Sequence, residues 1–134
     1  MNRTLTLMTF AFAAALMVTT AQAAAPTMPK IFQGEWCGKS NKPDSIRLEK
    51  CPEDYDGKFV ITPTGTEGWE HSCTLQSLTP TKKEFEYNAT LKCGGEGETW
   101  TDHGLIGLHS AGHLYLKWGR RTDCKDDNGK TIKC

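Results

Sequence analysis

The chain reads as an all-β domain: a small antiparallel up-and-down barrel, or a curled meander, of seven to eight strands braced by disulfides. Three observations predict this. From Ile31 onward, short segments alternate apolar and polar residues with period two, and turn residues separate them. No stretch of useful length with a helical period follows Ala23. All six cysteines lie beyond an N-terminal apolar segment, the pattern of an exported chain whose thiols become bridges.

That apolar segment opens the chain. Arg3, the apolar run from Leu5 to Val18, and Ala21-Gln22-Ala23 form a charged region, a hydrophobic region and an Ala-x-Ala cleavage site. Residues 1–23 are therefore expected to be a signal peptide, and the product periplasmic or secreted. Cleavage after Ala23 leaves 111 residues, enough for one domain with its own core. Residues 24–30 are small and carry Pro26 and Pro29, so they read as an extended, mobile lead-in. Residues 31–134 then form a single β domain.

Strands are expected near 32–37, 45–50, 57–62, 68–78, 83–93, 98–108 and 112–120. The clearest alternation is in the fifth, where Phe85, Tyr87, Ala89, Leu91 and Cys93 share one face and Glu84, Glu86, Asn88, Thr90 and Lys92 share the other. Turns follow from Thr62-Pro63-Thr64-Gly65, Thr79-Pro80-Thr81-Lys82, Gly94-Gly95-Glu96-Gly97 and Ser110-Ala111-Gly112. Asn128-Gly129 folds the tail back and brings Cys124 towards Cys134. Closing the sheet would remove its exposed edges. Trp36, Trp69, Trp100 and Trp118, with Phe32, Phe59, Phe85 and Tyr87, supply bulk for a plugged interior.

Charge excludes several functions. Loss of Arg3 with the signal leaves 15 basic and 16 acidic residues, so no basic excess exists for nucleic acid and no polybasic anchor for a membrane. No second apolar run is long enough to span a bilayer. The expected product is a monomer that touches neither nucleic acid nor membrane and carries no cofactor.

Among the pairings open to Cys37, Cys51, Cys73, Cys93, Cys124 and Cys134, the preferred one joins Cys73 to Cys93 across adjacent strands and Cys124 to Cys134 across the tail hairpin, leaving Cys37 with Cys51. A metal or redox centre is not expected, because no Cys-x-x-Cys occurs. His109 and His113 flank one turn, near Asp102 and His103 in sequence, yet they read more simply as polar positions at a hairpin tip. The tail from Asp123 to Gly129 imitates part of a calcium loop, but Cys124 displaces the first ligand and the chain ends before the closing glutamate. No Gly-x-Ser-x-Gly, His-Glu-x-x-His or phosphate-cradling loop is present, and Glu84 and Glu86 look solvated, so the chain is not expected to be an enzyme.

Gly34-Glu35-Trp36 at the first strand and Trp118-Gly119-Arg120-Arg121 near the last resemble the paired features of lipocalins and their calycin relatives. More narrowly, the chain resembles the bacterial metalloprotease inhibitors of that group. The resemblance implies a small barrel whose floor is crossed by Trp36 with Arg120 laid against it, a cation–π contact of about 0.5–2 kcal/mol. It also implies an inhibitor that acts on a protein partner, an extracellular or periplasmic hydrolase, through residues 24–30 and the strand-connecting loops. The alternative is a lipocalin-like carrier of a small apolar ligand.

Overall fold

A computed structural model describes residues 23–42, 45–53, 57–109 and 112–134. The expected signal peptide lies outside them apart from Ala23. The protein is all-β, with β1 (Gly34–Lys42), β2 (Ser45–Lys50), β3 (Phe59–Thr62), β4 (Gly65–Glu67), β5 (Ser72–Pro80), β6 (Glu86–Gly95), β7 (Glu98–Leu108) and β8 (Leu114–Lys125). All neighbouring pairs are antiparallel, and the sheet closes into a barrel in the order β1-β2-β8-β7-β6-β5-β4-β3.

From β3 to β8 the barrel is an up-and-down meander. The β1–β2 hairpin departs from it, because β1 lies between β2 and β3 while β2 closes against β8. Lys50 and Phe59 both stand opposite Trp36, one on each side. β2 and β3, consecutive in sequence, therefore lie on opposite sides of β1. The Cys37–Cys51 disulfide fastens the residue that follows β2 to β1. Cys73–Cys93 bridges two directly paired residues of β5 and β6, and Cys124–Cys134 holds the C-terminal tail against the end of β8. Each bridge restricts the unfolded chain, typically worth about 2–4 kcal/mol. Three of them in so small a domain fit an oxidising compartment.

Two local differences from the sequence reading have physical causes. The strand expected over 68–78 begins only at Ser72, as β5, because 68–71 form a turn from the short β4 in which Glu70 takes a φ of 70°. Phe85, expected on the inner face of β6, has a φ of 53° and precedes the strand; Tyr87, Ala89, Leu91 and Cys93 keep the inward alternation without it. The tail is a turn, as its sequence suggested. The Asp126 carboxylate accepts the backbone N–H groups of Asn128 and Lys130 at 3.1 and 2.8 Å.

Every strand contributes a buried side chain to the interior, among them Trp36, Leu48, Ile61, Thr66, Leu75, Leu91, Ile106, Leu114 and Leu116. The lead-in also contributes. Met28 is buried in the core, its N–H donates to the Pro63 carbonyl at 2.8 Å, and Gln33 Nε2 donates back to the Met28 carbonyl at 2.7 Å. A tight turn from Pro29 then delivers Phe32 beneath the barrel, its ring edge-on to Tyr87. Within the segment 24–30, expected to be mobile, Met28 is therefore a plug, while Ala24, Ala25, Thr27 and Lys30 are exposed. Met28→Ala should lower the stability of the mature protein by about 2–5 kcal/mol in urea unfolding. Removing residues 24–27 alone should leave that stability unchanged.

Candidate functional site

Period-two pairing gives the barrel two unlike ends. At one end lie the lead-in turn, the residues 81–85 and the β7–β8 turn; at the other lie the β4–β5 and β6–β7 turns. Each end is closed by an indole with a cation over it.

At the first end, Trp36 is buried and donates Nε1–H to the Phe32 carbonyl at 2.7 Å. The cation over its ring is Lys50, with Nζ 4.0 Å from the ring centroid. Gly34 lies close beside this contact. Its φ of 122° suits glycine, and a Cβ there would stand 3.3 Å from Lys50 Nζ. Arg120, the partner that the calycin resemblance implied, faces elsewhere. Gly104 pairs with Trp118 and His103 with Arg120, so Gly119 is an extra residue in β8. Without that bulge Arg120 would continue the inward series Leu114, Leu116 and Trp118. With it, Arg120 turns to the outer face and lines an open groove with His103 and Thr90.

Arg121, the next residue, is the cation at the opposite end. Its guanidinium lies 4.4 Å from the Trp100 ring centroid and donates Nε–H and Nη2–H to the Asp102 carboxylate at 2.8 and 3.2 Å. Trp100 Nε1–H donates to the same carboxylate at 2.8 Å. The sequence pattern of a terminal-strand arginine on an indole is thus realised one residue later and on a different tryptophan.

The histidines do not gather. His71 lies near Trp100, His103 sits between Thr90 and Thr122, His109 packs on Tyr115, and His113 approaches Glu49. Among the described residues no three His, Cys, Asp or Glu side chains are placed to hold a metal ion.

The Trp36 end presents an apolar surface. Ile31 and Phe85 are 48% and 47% exposed, and with Leu108, His109, Trp36 and Lys50 they line an open groove of about 420 Å³. The turn that presents Phe85 is built by a polar network that sequence reading missed. Glu86, expected to be solvated, is buried on the outer face of β6. Its carboxylate accepts the Thr81 hydroxyl at 2.8 Å and the Tyr115 hydroxyl, reaching from β8 across β7. Lys83 Nζ lies 3.6 Å away. The backbone closes the same turn, with Thr81 N–H donating to the Glu86 carbonyl and Leu108 N–H to the Phe85 carbonyl. Gly107 leaves the space for Tyr115, since a Cβ there would overlap the Tyr115 hydroxyl and ring. The only sequence trace of this arrangement is a glycine in the middle of a strand opposite a tyrosine.

The Tyr115 and Thr81 hydroxyls hold the Glu86 carboxyl below its ordinary range. Burial, then the bond to Glu86, raises Tyr115 from 10.0 to about 12.

No protein-family model, curated protein or solved structure matches this chain.

Linkage sets the pH behaviour of the network. The folded state favours ionised Glu86, so that contribution is present above the ordinary carboxyl value of 4.5 and is lost as pH falls through the lowered one. It favours protonated Tyr115, so that contribution is present below pH 10 and is lost as pH rises through about 12. Urea unfolding across the alkaline range should show this slope in the wild type and not in Tyr115→Phe. Gly107→Ala should displace the Tyr115 ring, abolish the same slope and lower the melting temperature.

Proposed function

We propose that this protein is an exported, non-enzymatic recognition protein that binds a protein partner, an inhibitor of a periplasmic or extracellular hydrolase. It does so through the Trp36 end of its barrel. The observation that carries the reading is the pairing of Ile31 and Phe85, two large apolar side chains left about half exposed beside one groove. Apolar side chains grouped beside an open groove favour contact with another molecule over contact with water. The turn bearing Phe85 is braced from three strands, so the surface is presented with little mobility, which reduces the entropy lost on binding. Residues 23–27, exposed except for half-buried Pro26, lead into the plug at Met28 and add to the contact.

The calycin resemblance supports the same reading. The chain shares with that group a closed barrel and an indole under a cation at the start of the first strand, and differs in the order of its β1–β2 hairpin. The carrier alternative needs a cavity inside the barrel. An eight-stranded barrel is just wide enough for side chains or one small ligand, and here buried side chains from all strands occupy that space.

The test is a panel of secreted metalloproteases, serine proteases and cell-wall hydrolases assayed with the mature protein. At least one should be inhibited. The double variant Ile31→Ser, Phe85→Ser should weaken that inhibition by about 30-fold or more, the loss expected for central interface anchors. Equal potency in a folded double variant, or no inhibition across the panel, would reject the reading.

A further inference from the structure

The opposite end of the barrel carries a second surface of different chemistry. A cleft of about 360 Å³ opens between the β4–β5 and β6–β7 turns, walled by Trp69 and Trp100 and rimmed by Glu70, Glu96, Glu98 and Arg121. Trp69 is 71% exposed, the most exposed of the large apolar side chains described. Among the described residues it makes no ring or cation contact.

The charges in the cleft do not cancel. Arg121 is committed to Asp102 by two hydrogen bonds and to the face of Trp100, so it forms a nearly neutral unit. Glu70, Glu96 and Glu98 form no ion pair among the described residues. An open indole beside three uncompensated carboxylates attracts a cation and repels phosphate or carboxylate ligands.

Arg121 also shows how this end of the barrel receives such a group: the guanidinium lies on one indole and its N–H groups meet one carboxylate. Trp69 offers the same indole face, and the three glutamates the same acceptors, to a group that the chain itself does not supply. Glu70 and Glu96 have φ values of 70° and 50°, a left-handed backbone that glycine or asparagine adopts more easily. Glutamate is therefore not what these two turns require for their own stability.

We propose that this cleft binds an organic cation, an ammonium or guanidinium head on an apolar stem, stacked on Trp69 and paired with Glu70, Glu96 and Glu98. The head can come from a free amine or from a basic side chain of a protein, and both present the same chemistry to the site.

Two probes separate the sources: spermidine, and the capped peptide Gly-Lys-Gly-Arg-Gly, each titrated into the mature protein by calorimetry. A capped peptide with norleucine at both basic positions is the neutral control. Saturable binding of either charged probe and none of the control is expected, the tighter of the two naming the source. The double variant Glu70→Asn, Glu96→Asn should bind about tenfold more weakly or worse. Its melting temperature should hold or rise, because asparagine suits the left-handed turns. Trp69→Ala should weaken binding comparably. The proposal is overturned if neither charged probe saturates, if the neutral peptide binds as well, or if the folded asparagine variant keeps the wild-type affinity. None of these outcomes bears on the Trp36 end, whose variants lie at the other end of the barrel.

Discussion

Trp36 is the point through which the rest of the barrel is organised. Its indole is buried, its N–H is bonded to the Phe32 carbonyl, and its two strand neighbours are Lys50 and Phe59. Burying so large a side chain at the mouth of a small barrel releases water from much apolar surface. It also imposes conditions on what surrounds it. Gly34 stands close to Lys50, and the lead-in turns so that Met28 and Phe32 seal the floor beneath it. The pairing of Trp36 with Lys50 also brings the next residues, Cys37 and Cys51, within disulfide reach. The hairpin order, the floor plug and one disulfide thus all meet at one indole.

The same device, an indole under a cation, closes both ends, and the difference between the ends lies in what surrounds it. At Trp36 the neighbours are apolar and the nearby polar groups are spent on fixing a turn. At Trp100 the stacked Arg121 is neutralised by Asp102, and the rim beyond it is acidic. A barrel with a filled interior leaves its ends as natural contact surfaces, and these two differ in charge and in apolar character. That asymmetry suits a protein that recognises by surface contact.

Small departures from regular pairing decide which side chains reach which end. A single extra residue, Gly119, sends Arg120 outward and leaves Arg121 to meet Trp100. Because side chains alternate with period two, one inserted residue reverses the face of everything beyond it. The left-handed backbone at Phe85 acts similarly, taking an aromatic ring out of the inner row of β6 and placing it on the rim.

The amino-acid sequence by itself determined the all-β class, the inward row of Tyr87, Ala89, Leu91 and Cys93 and the tail hairpin, because period-two alternation and turn chemistry are local properties of the chain; the disulfide pairs were a preference among open pairings that the structure forms. The resemblance to calycins, carried by Gly34-Glu35-Trp36, implied a floor crossed by Trp36. What only the tertiary structure decided are the relations that span distant segments or hang on a one-residue shift. They include the insertion of β1 between β2 and β3, the burial of Met28, the choice of Lys50 and Arg121 as the cations, and the bond from Tyr115 across Gly107 to Glu86. Glu86 shows the reason. Alternation places it correctly on the outer face, but whether that face is wet depends on a tyrosine 29 residues away. No local pattern records that contact.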